Sequence, residues 1–295
     1  MGKRWSVRLA MGFLVVLLFA AVFGPSLMPV AHRELSAGQF LPPSGAHWFG
    51  TDINGRDVLY RVLEGARVSL CVGLAGALVS LCIGTAYGLV SGYAGGRVDA
   101  VMMRFLEVLY AVPRLVIILI FINAFDPRLR SWMEGTAFAG LMPFSKIVIL
   151  IVCLGLVEWL TMARVVRGQV LSLKNETFVL AARTLGQSHW RILVRHLLPN
   201  LTGVVIVYLT LTIPAVILDE TFLSFLGLGI QAPQASWGLL LSDGAGVINP
   251  IESRWWLLVF PAVVMSGTLL ALNHLGDALR DKLDPKMQMR KGASR

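Results

Sequence analysis

Charge is scarce in this sequence. Of its 295 residues only 15% are Asp, Glu, Lys or Arg, while 56% are apolar; soluble domains usually carry about 25% charged residues. That shortfall excludes a soluble domain, and a mean hydropathy of +0.71 agrees. Cysteine is scarcer still. Cys71, Cys82 and Cys153 form no CxxC pair and no metal-ligand spacing, and all three fall inside apolar runs, as packing residues do. The five histidines, at 32, 47, 189, 196 and 274, are scattered, and there is no HExxH and no GxSxG. The six lysines, at 3, 146, 174, 282, 286 and 291, lie in no GxxxxGK[ST] loop, the phosphate cradle that an ATPase needs. No catalytic residue, no metal and no cofactor is therefore expected, and any work the chain does must draw its energy from another polypeptide.

What the chain does have is long apolar runs. About 20 such residues cross the roughly 30 Å hydrocarbon core as a helix. Six runs qualify, at about 9–30, 68–92, 101–123, 147–166, 200–228 and 255–276. The expected fold is an all-α integral membrane protein of six transmembrane helices. The first run follows Lys3, Arg4 and Arg8 as a signal peptide would, but it is long and FGPSLMP is a poor cleavage site, so it reads as a retained anchor. Of the 26 Lys and Arg, 17 fall on one side of the spans and 8 on the other, with Arg114 inside a span. The positive-inside rule then puts both termini and residues 175–200 in the cytoplasm. This bias and anionic membrane lipid account for the net charge of +9, without nucleic acid.

Residues 175–200 form a polar, basic insert between two apolar runs. A helix is predicted from Glu176 to about Leu185, with Phe178, Val179, Ala181, Ala182 and Leu185 at helical spacing. Gly186 ends it. Ser188 caps a second helix, whose stripe is Trp190, Leu193, Val194, Leu197 and Leu198 and which runs up to Pro199. Periodicity alone leaves an ordinary amphipathic loop open. However, AAxxxG at Ala181, Ala182 and Gly186, followed by Leu198 and Pro199, resembles the cytoplasmic coupling motif of ABC importer permeases. The resemblance implies that this loop docks on a separate ATPase subunit, with Glu176, Leu180, Ala181, Ala182, Gly186, Arg191 and Pro199 as coupling residues. Two positions depart from that pattern: Leu180 stands where the family commonly has Glu, and His196 where it commonly has Ile. Glu176, one turn before Leu180 on the same face, is the candidate for the missing carboxylate.

Residues 31–67 balance four arginines with Glu34, Asp52, Asp57 and Glu64, as a segment folded on its own protein does. The string from Phe49 to Leu70, with GTD, GRD and GAR, resembles the signature of the C-type permease subunit of dipeptide and oligopeptide importers. Its Asp52, Arg56, Asp57 and Arg67 are read as a structural clamp in preference to a substrate site. Further on, Gly76, Ser80, Gly84, Gly88 and Gly92 repeat every four residues, a surface for close helix contact. Gly95 and Gly96 break that helix, and Asp99 is placed to cap the next. Arg104 and Glu107 can pair at i,i+3, and Pro113 should kink the third span. Arg114, Asp219 and Glu220 are pathway candidates, because intramembrane charge commonly marks a substrate route. The bland readings are an interface ion pair for Arg114 and a hydrated pair near the outer mouth for Asp219 and Glu220.

The resemblance extends from about Phe49 to Pro285, through the outer loop SFLGLGIQAPQASWGLLLSDG and the tail GDALRDKLDP. It implies a type I ABC importer permease subunit in the bacterial inner membrane, organised as an anchor and external segment (1–67), a five-helix core with its coupling loop (68–285) and a basic tail (286–295). Its implied partners are a homologous permease, one or two cytoplasmic ATP-binding subunits, an extracytoplasmic solute-binding protein and membrane lipid. Its implied cargo is di- or oligopeptide, with nickel or another small solute as the alternative. A secondary transporter would need ion-coupling acids at mid-membrane and inverted repeats, and neither is found.

Overall fold

The computed structural model describes residues 2–29, 36–134, 136, 139–248 and 252–283. Glu34, the end of the GDALRDKLDP tail at 284–285 and the basic tail 286–295 lie outside the described residues. Among the described residues there are ten α-helices: α1 (Gly2–Leu27), α2 (Val58–Ala94), α3 (Gly96–Ala111), α4 (Arg114–Glu134), α5 (Ser145–Leu173), α6 (Thr177–Thr184), α7 (His189–Ile192), α8 (Leu198–Phe225), α9 (Trp237–Gly246) and α10 (Trp256–Leu283). Among the described residues there is no β-strand, and Thr51 and Asp57 form an isolated antiparallel bridge.

Among the described residues, five helical stretches are long and apolar enough to cross a membrane: Trp5–Leu27, Val58–Ala94, Met142–Leu173, His189–Phe225 and Trp256–Leu283. The sixth expected span is not one helix. α3 and α4 meet at 87°, so the kink expected at Pro113 is a full break. Its cause is local. A residue before proline is driven out of the helical region, and Val112 is extended at φ −84, ψ 130. A new helix then starts beyond it, with the N–H groups of Val116 and Ile117 donating to the Pro113 carbonyl.

α2 begins ten residues earlier than its apolar run suggested, at Val58, and is 37 residues long. At about 1.5 Å per residue this exceeds a hydrocarbon core of roughly 30 Å. Arg61, Glu64 and Arg67 lower the hydropathy of the first turns without breaking the helix. Asp57 starts it: its Oδ1 accepts the N–H of Tyr60 at 3.1 Å, filling one of the orphan donors of the first turn. α9 falls inside the stretch read from the sequence as outer loop. Ser236 caps it, accepting the Leu239 N–H at 3.3 Å.

The chain divides into two compact units. One comprises residues 1–74 and 214–275, with a core of Val58, Val62, Leu240, Trp256 and Leu257. In it Ser6 of α1 bonds His274 of α10 at 2.8 Å, and Phe49 stacks on Phe260 with ring centroids 4.0 Å apart. The other comprises residues 75–213 and 276–295. It is held by the expected small-residue stripe. A Cβ on Gly84 would lie 2.5 Å from the Met162 side chain, and one on Gly88 2.5 Å from the Ala163 carbonyl, so the α2 backbone lies directly on α5.

Candidate functional site

The coupling-loop candidate begins where α5 ends at Leu173. α6 stops as the sequence predicts, and the reason is visible in its hydrogen bonds. Gly186 sits at φ 74, its N–H donates to the Arg183 carbonyl at 2.9 Å, and the Gln187 N–H reaches back to the Ala182 carbonyl at 3.1 Å. This is the Schellman ending, which needs a left-handed residue just past the helix. Ser188 then caps α7 by accepting the Arg191 N–H at 3.4 Å.

The second helix departs from expectation. It does not end at Pro199 but continues through a π-helical turn, Leu193–Leu197, into α8. Proline offers no N–H and its ring crowds the carbonyl four residues back, and the wider π turn absorbs that conflict. Asn200 Nδ2 caps the His196 carbonyl at 2.6 Å. The apolar stripes also differ from those expected. Val179, Ala182, Ile192 and Leu197 are buried in one core with Val166, Val170 and Leu201, whereas Trp190, Leu185 and Leu180 are 74, 79 and 47% exposed. Ala181 faces out with them, as do Glu176, Gly186, Arg191 and Pro199. Of the Ala181–Ala182 pair, then, Ala182 packs and Ala181 is presented. Glu176 precedes α6 as its N-cap residue, without a side-chain capping bond.

Residues that sequence reasoning did not connect hold this loop and the end of α5 against the α2–α3 turn. Asp99 is not a cap. It is buried in the first turn of α3, accepts Nε and Nη2 of Arg167 at 2.6 and 2.7 Å, and receives the Ser91 hydroxyl at 2.5 Å. Lys174 Nζ donates to the Gly92 carbonyl at 2.9 Å, and Tyr93 Oη and His189 Nδ1 lie 2.8 Å apart.

In the 36–57 segment Asp52 is the centre. Its Oδ1 accepts the N–H groups of Asn54 (2.8 Å) and Arg56 (2.9 Å), while its Oδ2 accepts Arg56 Nε (3.1 Å) and Arg61 Nη1 (3.0 Å). Arg61 also reaches Asp243 of α9 at 3.0 Å. Asp57 caps α2 and pairs with His47 at 2.9 Å. Arg67, expected with this group, is exposed and takes no part in these bonds, whereas Arg61, which no short motif marked, is 4% exposed and joins two carboxylates.

The pathway candidates have separate settings. Arg114 pairs with Glu158 of α5 at 3.0 Å, and Arg104 with Glu107 at 3.2 Å. Asp219 is half-buried. Glu220 is not a hydrated group at a mouth: it is fully buried, with Ser69 donating to Oε2 at 2.9 Å and Ser224 to Oε1 at 2.7 Å. Among the described residues no group of His, Cys, Asp and Glu is disposed to hold a metal.

Residues 84–289 match the family described as "Binding-protein-dependent transport system inner membrane component". Over 286 residues the chain is 48% identical to a dipeptide transport system permease protein of Bacillus subtilis, covering 95% of this chain and 83% of that protein. It is 45% identical over 285 residues to the oligopeptide transport system permease protein of Escherichia coli K12, covering 95 and 87%. A probable D,D-dipeptide transport system permease protein of the same strain is 35% identical over 274 residues, covering 92 and 85%. With its apolar helices and this match across more than half its length, the chain belongs to the family of multi-pass inner-membrane permease components of binding-protein-dependent transport systems.

Proposed function

We propose that this chain is the C-type permease subunit of an ATP-driven importer of di- or oligopeptides. Its partners are a homologous permease, one or two cytoplasmic ATP-binding subunits and an extracytoplasmic solute-binding protein. The chain has no ATPase site of its own. Closure of the ATP-binding subunits moves residues 176–199, which act as a lever on α5 and α8, and the helical bundle alternates between outward-facing and inward-facing states. Peptide cargo is supported by the named cargo of the relatives at 45–48% identity.

The observation that carries the coupling role is the division of α6 and α7 into two faces. Val179, Ala182 and Ile192 anchor the loop inward while Leu180, Ala181, Leu185 and Trp190 are left uncovered. An apolar face on an otherwise polar, basic loop suits a protein partner. The test is ATP turnover and peptide uptake by the complex reconstituted in liposomes with its binding protein. Leu185→Asp and Ala181→Asp should lower stimulated ATP turnover and uptake together, by about tenfold or more, while the complex assembles normally. Ala182→Asp places a carboxylate in the core and should lower complex yield instead. Unchanged turnover in both exposed variants would refute the coupling role.

A further inference from the structure

The loop is joined by peptide bonds to α5 and, through α7, to α8, so its displacement reaches those helices directly. α2 and α3 have no such link. They pack on α5, and at the turn between them, residues 92–99, they are attached on two sides. The first attachment belongs to α5: the two-pronged bond from Arg167 to the buried Asp99, and the 2.9 Å bond from Nζ of Lys174, the C-cap residue of α5, to the Gly92 carbonyl. The second is exposed and belongs to the loop itself. The Tyr93 and His189 rings meet edge to face with centroids 5.6 Å apart, their Oη and Nδ1 atoms are 2.8 Å apart, and the Arg183 guanidinium of α6 lies 4.9 Å over the Tyr93 ring.

One attachment makes a pivot, and two fix an angle. Between the two lie Gly95 and Gly96, at φ 65 and 53, which supply the turn. At its other end α3 stops at the 87° break, so it is a short rod lying on α5, with Leu106 packed on Trp159, Leu160 and Ala163 and Tyr110 Oη 2.9 Å from Thr161 Oγ1, and its first turn is where the loop bears on it. The loop in turn behaves as one piece. α6 and α7 share a core, and His196 Nε2 lies 2.9 Å from Gln187 Oε1, tying the π turn to the Gly186 hinge at the position where the family commonly has Ile.

We propose that the Tyr93–His189 contact is a latch through which the coupling loop drives the α2–α3 turn, so that α3 tilts with the loop. Tyr93 and His189 are positioning residues, acting on α3 through the turn, and the proposal rests on the coupling reading above.

The test uses the complete complex in liposomes and reads peptide transported per ATP hydrolysed. Tyr93→Phe removes the hydroxyl and keeps the ring beneath Arg183, while His189→Phe keeps the edge contact and removes the nitrogen. Each should lower the transport-to-ATP ratio by about fivefold or more, the lower range of ordinary coupling between sites. Tyr93→Phe should retain binding-protein-stimulated ATP turnover. The double variant should be no worse than either single one, because both remove the same contact. Unchanged ratios in the single variants, multiplied losses in the double, or lower complex yield at an unchanged ratio would each overturn the latch. Leu185→Asp is the control: if it too is silent, the coupling-loop reading fails, whereas silence confined to Tyr93 and His189 refutes the latch alone.

Discussion

Asp52→Ala tests whether the 36–57 segment is held by its ion pairs. Asp52 and Arg61 are each 4% exposed, so the carboxylate loses four bonds in a dry site: two from backbone N–H groups, one from Arg56 and one from Arg61. Removing one partner of a buried pair costs about 3–5 kcal/mol. Arg61 keeps Asp243, which is 43% exposed, and Arg56, at 18% exposed, can turn toward water, so the lower end applies, about 3 kcal/mol. A multi-helix membrane complex does not unfold in two states, which makes a melting temperature a poor readout. Backbone hydrogen exchange reads the segment itself. At about 1.4 kcal/mol per tenfold, the amides of Thr51, Asn54 and Arg56 should exchange roughly a hundredfold faster. Asp52→Asn keeps an acceptor oxygen for the backbone donors and should fall between wild type and alanine. Arg67→Ala, at an exposed position outside the cluster, should leave exchange unchanged. If Asp52→Ala behaves like Arg67→Ala, the cluster does not hold the segment and the argument from burial is wrong.

The spans were legible because crossing a bilayer imposes a length and a composition that a sequence must display. A close-contact surface on α2 was legible for a related reason: small residues spaced by four, from Gly76 to Gly92, make a stripe that winds slowly about the helix, though nothing in it named α5 as the partner. The Gly186 ending followed from local chemistry alone. What could not be read was the outcome of competition between distant groups. Pro113 announced a disturbance, but a kink and an 87° break begin from the same residue. Helical spacing grouped Trp190 and Val194 with Leu197, and only the neighbours decide which side is inward. The pairs Asp99–Arg167 and Arg61–Asp243 lie 68 and 182 residues apart, with no motif linking their members. Arg67 stands in a GAR string, which ties it by motif to the external signature, and Arg61 stands in no motif.

Two further substitutions probe packing. Gly88→Ala would set a methyl 2.5 Å from the Ala163 carbonyl and 2.9 Å from the Arg167 nitrogen, backbone atoms that cannot swing aside, so complex yield should fall severalfold, whereas Gly203→Ala, with nothing within 4 Å, should express as wild type. Glu220→Gln addresses the other buried carboxylate. The Trp237 N–H donates to Ser69 Oγ at 3.3 Å and the Ile230 N–H to Ser224 Oγ at 3.0 Å, and both hydroxyls pass their own protons to Glu220. Two relays thus converge on one acceptor and tie α2, α8 and the start of α9 together. Glutamine can accept only one of the two, since its amide nitrogen donates. The second hydroxyl then loses its acceptor in a fully buried site, a loss of about 1–3 kcal/mol. Hydrogen exchange at Ile230 and Trp237 should therefore rise unequally, the amide on the broken relay by about tenfold or more and the other little. Glu220→Ala should raise both. Equal, small effects in both variants would mean that the seryl relays do not depend on the carboxylate, and that the junction is held by apolar packing around Leu223 and Trp237 instead.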